Sequence, residues 1–573
     1  MKKLLLVLPF LAVCMAQAQT LNFTDRADMP TARAGSSAAY YFNYEYICNG
    51  FSGASAYTSQ IEKYDFANNS WSTFATSIPT ISKRYGNAEI LSGILFLYNG
   101  NTANGNNDKL EIIELGTGNV TVSSTLNPNP VSRAGSALYG DFPIYFGGCV
   151  NSWTGVYSNK LYKIEPWSGG NWVQLADMPA ALEPKGTVVY GSGSTAKLYV
   201  FGGYKEQVPV AENFETVATT GNLSMTNWFN VTETGTKYFQ GKTFNSNKYA
   251  QISAYGATVA EQEASNKTWL ISPQVSLASS TNTFLSFDTL DGFSNGATLE
   301  AYIITNWTGN ILTSTKTLLS APISSGHTTG YGPYFINSGD ISLSTFPSTF
   351  RIAFKYTGGY SPAAATTTYE IDNVKVYQKQ ISNSIYVYDF NSNTWSTSAT
   401  TLPQSISAHS VVVDDPYSAS AKIYVTGDYD NQTFLGRYNV ATGSFTTINQ
   451  TGMIGRRHHN AEIFGNNLYL FGGNTNPDTF SSLASTQRAD YSTLANTEFD
   501  TQDLVTFYPN PTTDILTFNS DIKEVTLYTF DGKKVNAQIQ NNEINVSYLP
   551  KGIYLIQGTN ENGKLFSEKF IKK

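Results

Sequence analysis

The sequence is poor in the residues that build disulfide frameworks and metal centres, with three cysteines and four histidines in 573 positions. Cys14 lies in the first hydrophobic stretch, so only Cys48 and Cys149 remain, too few to hold a fold together by disulfides. A zinc or copper centre needs three or four converging ligands, and His327, His409 and the adjacent His458 and His459 exhaust the imidazoles. Charge is scarce too. Only 14% of the chain is charged and acids outnumber bases, 43 to 36, so no concentrated basic surface is available for a phosphate backbone and a nucleic-acid partner is excluded. After the N-terminus no run approaches the roughly 18 apolar residues of a membrane span, and the remainder is expected to be soluble, with no transmembrane segment. No Gly-x-Ser-x-Gly elbow, P-loop or repeated Ser-x-Asp-x-Gly-x-Thr-Trp box is present.

Glycine, tyrosine and phenylalanine are plentiful, at 46, 37 and 33, beside many Ser, Thr and Asn residues. This is the composition of strands joined by turns on an exported protein. The opening "MKKLLLVLPFLAVCMAQAQT" has two lysines, an apolar run and the small-x-small signal Ala16-Gln17-Ala18. Residues 1–18 therefore read as a secretory signal peptide, and the mature chain is expected to start near Gln19. A lipoprotein anchored through Cys14 is the alternative, but Val13 stands where a small residue is needed.

A unit of about 50 residues then recurs. The segments "TARAGSSAAYY", "SKRYGNAEIL", "VSRAGSALYG", "EPKGTVVYG", "SISAHSVVV" and "GRRHHNAEIF" each open a short apolar strand. A second strand follows and ends in a glycine turn, as in "LFLYNG", "IYFGG" and "LYLFGG", and a third element such as "IEKYDFANNSW" places an aromatic residue behind a tyrosine. Over residues 22–206 and 381–492 this pattern resembles the kelch repeat, with full Gly-Gly pairs at 147–148, 202–203 and 472–473. The resemblance implies an all-β fold, a six-bladed β-propeller in which each unit is a four-stranded blade. The sixth unit lacks a fourth strand, and "NFTDRADMP" near the N-terminus matches the tail of the third unit, "WVQLADMP". The N-terminal strand is thus expected to close the ring, which would otherwise expose strand edges.

The period breaks once, between Lys185 and His409, which are 224 residues apart. Residues 207–380 read as an insert between the second and third strands of the fourth unit, splitting the propeller into residues 19–206 and 381–492. The segments "ENFET", "TWLISPQVSL" and "YEIDNVKVY" resemble the cleaved-adhesin or choice-of-anchor jelly rolls, which are β-sandwiches. Related jelly rolls carry a structural calcium ion, making Glu215 and Asp372 candidate metal ligands; the alternative is that they cap turns or pair with nearby lysines. No other cofactor is required. Beyond a polar linker at 493–503, residues 504–573 carry Tyr508-Pro509-Asn510-Pro511, Asp531-Gly532 and Gly552-Ile553-Tyr554. They resemble the type IX secretion sorting domain, a small β-sandwich, which implies the type IX machinery as a partner and a secreted or outer-surface location.

For chemistry, a basic residue recurs near the start of each unit: Arg33, Arg84, Arg133, Lys185 and Arg457, with His409 in the remaining one. In kelch propellers those loops surround the mouth of the central channel, where a ring of cations suits a carboxylate or sulfate. The same cations read equally as internal pairs for carboxylates or carbonyls of a neighbouring blade. Trp153, Tyr157, Tyr429 and Phe434 are either stacking platforms for sugars or covers for the blade ends. His458 and His459, being adjacent, are expected on opposite faces of a strand. The expected function is non-catalytic binding or adhesion, presenting the mouth and jelly-roll loops to a glycan or an extracellular protein. An enzymatic alternative is a sialic acid-type epimerase or mutarotase in which Glu183 moves the proton.

Overall fold

Short runs of Val, Ile, Tyr and Phe punctuated by Gly and Asn turns form strands throughout, and among the described residues the helical elements are three-residue 3-10 turns. The computed structural model describes residues 20–53, 56–166, 170–475, 481–494, 505–519, 521–529, 533–560 and 565–573. The signal peptide, most of the linker and the Asp531-Gly532 turn lie outside the described residues. Two compact units are present, one within 17–493 and the other within 494–573.

In the larger unit, six four-stranded antiparallel sheets are found among the described residues. Their first strands are Ser37–Tyr41, Asn87–Leu91, Gly135–Tyr139, Gly186–Tyr190, Ser410–Val413 and Asn460–Phe464; the sheets are numbered one to six in that order. Each first strand lies beside the first strand of the next sheet, and that of sheet six lies beside that of sheet one. Second strands are the most buried, as in Phe142–Phe146, where Ile144, Tyr145 and Phe146 are fully covered. A strand in the middle of a sheet, packed on both faces, has to be apolar at successive positions rather than alternate positions.

The glycine turns have a steric cause. Gly147, Gly202 and Gly472 all have φ near +60°, and a Cβ at each would meet the carbonyl oxygen of Leu182, Ile406 and Arg33 at 2.7, 2.6 and 2.6 Å. Those carbonyls belong to the loop leading into the following sheet, so only glycine allows neighbouring sheets to approach this closely.

The N-terminal segment is built into this arrangement. Thr20–Asn22 pairs in parallel with Asn449–Thr451, and Thr24–Asp25 is the fourth strand of sheet six, pairing with Thr486–Asp490. The phrase shared by residues 23–30 and 172–179 acts as a clip onto the next sheet. Ala27 N donates to Asn69 Oδ1 at 3.0 Å and its carbonyl accepts from the Trp71 indole at 2.9 Å. Ala176 makes the same two bonds to Asn393 and Trp395, both at 2.9 Å. In each case the asparagine oxygen also accepts from a tyrosine hydroxyl, Tyr64 or Tyr388.

Between Gly203 and Ser382, whose backbones are joined by a 2.9 Å hydrogen bond, the chain forms a seven-stranded and a six-stranded sheet. Leu285, Phe287, Ile371 and Val376 of the first and Ile303, Ile352 and Phe354 of the second share one buried core. Phe287 and Phe354 meet edge to face at 4.9 Å. The smaller unit is two four-stranded antiparallel sheets over Leu516, Leu527, Ile544, Ile556 and Phe570. Cys48 and Cys149 are buried and unbridged.

Candidate functional site

The recurring cations do not share one structural position. Counted back from the first residue of each sheet, Arg33 lies four residues before, Arg84 and Arg457 three, Arg133 two, and Lys185 and His409 one. Counting basic residues along the sequence aligned them; strand register separates them by up to three positions, which points them in different directions.

The position four residues before is structural. Arg33 is fully buried, with Nη2 2.9 Å from Glu62 and Nη1 donating to the carbonyls of Asn49 and Gln60. Its equivalents are Lys83, ion-paired with Glu111, and Arg456, which donates to Gln487 at 2.9 Å and to the Gly472 carbonyl. Where the third strand instead offers Tyr162, Tyr386 or Gly436, the matching loop residue is Val131, Leu182 or Ile406. Cation and acceptor thus occur together or not at all. Arg33 binds within the motif and does not line the mouth.

Arg133, Lys185, Glu183, Tyr157 and Tyr429, by contrast, line one cavity of about 540 Å³ between the sheets and the insert. Tyr204, Glu206, Lys375, Tyr377, Lys379, Asp340 and Asp430 are also in its walls. Lys375, Tyr377 and Lys379 alternate along the strand Thr368–Ile381 and so project from one face. That period-two signal is readable in "NVKVYQK", but nothing in the sequence shows that this face meets the four-stranded sheets. Tyr204 and Glu206 directly follow the Gly202-Gly203 turn.

Three of the four cations here are already paired. Arg133 Nη1 is 3.3 Å from Glu183, Lys375 is 2.6 Å from Glu206, and Lys379 is 3.2 Å from Asp340. Glu206 also accepts from Tyr204 at 2.6 Å. Lys185 has no carboxylate within ion-pair reach among the described residues. Burial, with Arg133 adding to it, lowers its ammonium to about 7. Burial likewise pushes Glu183 up to about 7, against the pull of Arg133. Burial raises the Tyr157 and Tyr204 phenols, which remain donors at neutral pH.

A stacked series flanks the cavity. Arg133 lies 4.3 Å above the Tyr85 ring, His458 meets Tyr85 edge-on at 5.1 Å, and Arg457 lies 4.1 Å above Tyr429. Arg84 faces Tyr57 at 5.2 Å, outside the cavity lining. His458 and His459 precede the strand Asn460–Phe464 rather than lying in it, and His458 has φ of 51°. The left-handed turn sends His458 to the cavity while His459 contacts the Thr426 hydroxyl at 2.8 Å. His409 is fully buried against Gly186, where any Cβ would collide with its ring. Burial, then Lys185, lowers its pKa to about 3, so it is neutral.

Trp153 sits beside the cavity with Lys375 Nζ 6.0 Å from its ring. Phe434 is buried and stacked on Phe445, a cover for its sheet. In the insert, burial raises Asp372 to about 6 although Asn247 donates to it at 2.9 Å. Glu215 accepts from Lys248 N, and the Lys248 ammonium donates to the Glu215 and Val217 carbonyls at 2.9 and 3.3 Å. Among the described residues no group of three or more His, Cys, Asp or Glu side chains is placed to hold a metal.

Residues 506–573 match the family described as the secretion system C-terminal sorting domain. The smaller unit is thus a type IX secretion sorting domain, a partner for that machinery, and the protein is secreted or displayed at the cell surface. No curated protein matches the chain. No helix among the described residues is long and apolar enough to cross a membrane.

Proposed function

We propose that this is an exported binding protein whose six sheets are the blades of a kelch-type propeller, closed by its N-terminal strand and carrying a cleaved-adhesin-like jelly roll in the fourth blade. The cavity between the two parts takes an acidic glycan. The observation that carries this reading is Lys185, an ammonium without a carboxylate partner in a cavity walled by Tyr157, Tyr204, Tyr377 and Tyr429. A sugar carboxylate would supply the missing counter-charge, Arg133 could share it by loosening from Glu183, and the phenol rings offer stacking faces with hydroxyl donors.

Binding of the full chain to an array of carboxylated, sulfated and neutral glycans tests the reading. Retention of carboxylated glycans that is lost in Lys185→Met and weakened in Arg133→Ala is expected. Equal binding by the variants, or binding to neutral glycans only, would move the site elsewhere.

A second reading rests on Glu183. A carboxyl held near 7 beside Arg133 suits proton transfer at the carbon next to a carboxylate, as in a sugar-acid epimerase or mutarotase. Exchange of that carbon-bound hydrogen with deuterated solvent, abolished by Glu183→Gln, would favour catalysis over binding alone.

A further inference from the structure

A second cavity, of about 530 Å³, is lined by residues of all six first strands. It shares Arg133 and Lys185 with the mouth cavity. Deeper in, its character reverses. Glu89 and Glu462 are the third residues of their strands, and Glu45 reaches the same space from Tyr44–Cys48, opposite Tyr40. Asp414 lines the end remote from Lys185, directly after the strand Ser410–Val413.

Among the described residues these glutamates find no countercharge. Glu45 is 1% exposed, and its buried Oε2 has no hydrogen-bond partner. The Glu462 carboxylate accepts from the Ile463 backbone at 2.9 Å, and Glu89 is reached by the Ser136 hydroxyl. No Lys or Arg forms an ion pair with any of the three among the described residues. Leaving three carboxylates in a covered space without a cation is costly unless they take up protons or a positive ligand.

We propose that this channel is a second binding site, for a primary ammonium group, entered from the Asp414 end. A metal ion is disfavoured because the carboxylates are not gathered closely enough to coordinate one. A primary ammonium needs only one ionised carboxylate, with neutral acceptors for its remaining donors, and the half-exposed Tyr40 ring beside Glu45 adds a cation–π face. Arg133 and Lys185 repel a cation at the other end, so the ligand stops at the glutamates. This site is independent of the acidic-glycan reading, since its ligand has the opposite charge.

Burial pushes Glu89 up to about 8 and Glu462 up to about 7, and burial, then Glu462 and Glu89, raises Glu45 well above the ordinary carboxylate range. The facing groups are Tyr40, raised by burial and by Glu462 and Glu45, and Asp414, raised by burial, with Lys185 and Arg133 above; Tyr98, raised by burial and by Glu89, lies outside the lining. Ammonium binding must therefore displace protons, and affinity should rise with pH from 6 to 9.

The test is isothermal titration of the full chain with 1,4-diaminobutane, with sodium chloride and calcium chloride as controls. Saturable one-to-one binding is expected, with proton release seen by comparing buffers of different ionisation enthalpy. In Glu89→Gln/Glu462→Gln the affinity should fall at least tenfold while mouth-cavity binding of glycans is kept. Glu45→Gln is the second variant, should the double one fail to fold. Absence of saturable binding at pH 9, binding without proton release, or unchanged affinity in a folded variant would overturn the proposal.

Discussion

Lys185 and Glu183 titrate near the same pH, and each lowers the local charge by one unit as pH rises. Below 7 the lysine is charged and the carboxyl neutral; above 7 the reverse holds. The net charge lining the cavity thus falls by two units over a narrow interval, one cation lost and one carboxylate gained, while Arg133 stays charged and His458, lowered mainly by burial, stays neutral. Binding of a carboxylated glycan should weaken as pH rises from 6 to 8, with the dependence reduced in Lys185→Met and removed only when Glu183→Gln is added; titrations at fixed ionic strength would measure it. Arg33 makes the opposite kind of prediction. Removing its buried partner with Glu62→Gln should destabilise the larger unit by about 3–5 kcal/mol without changing glycan binding, read by thermal unfolding and by the array. Position near the start of a repeat does not by itself distinguish Arg33 from Arg133. The acceptor in the third strand, Glu62 against Tyr162, was the readable clue.

The clip around Ala27 and Ala176 explains why the same phrase occurs near the N-terminus and in the middle of the chain. It is the segment that fastens one sheet to the next, through an asparagine and an indole. Trp71→Phe keeps the ring and removes the donor to Ala27, so a loss of about 0.5–1.5 kcal/mol is expected, with Trp395→Phe behaving alike. Met29 is buried among Ile47, Tyr64 and Phe471, at the junction of sheets one and six. Met29→Ala should cost about 2–5 kcal/mol, and deletion of residues 20–30 should abolish cooperative unfolding of the larger unit, read by calorimetry. The repeats made these strands legible because second strands are apolar throughout and glycine turns recur where carbonyls approach. The exact loop register was not legible, as it depends on left-handed residues such as Arg133 and His458 that no period announces.

For the whole molecule, the insert leaves and returns at one point, Gly203 and Ser382. Replacing residues 207–380 by a short Gly-Ser turn should therefore leave the six sheets folded, read by circular dichroism and a single thermal transition. Glycan binding should nonetheless be lost, because Lys375, Tyr377, Lys379 and Asp340 go with the insert. Removing residues 506–573 should block passage across the outer membrane, detected by cell fractionation, while the larger unit unfolds at an unchanged temperature.

Sequence alone determined the all-β class and the sorting domain, because strand composition, glycine turns and the C-terminal motifs are local properties of the chain. It also pointed to Arg133, Lys185, Glu183, Tyr157 and Tyr429 as residues to examine. Only the tertiary structure decided which of the recurring cations share a cavity, that the insert supplies one of its walls, and that Glu45, Glu89 and Glu462 face a common channel. Those are relations between residues far apart in the chain, created when separate sheets pack, and burial then sets their charge.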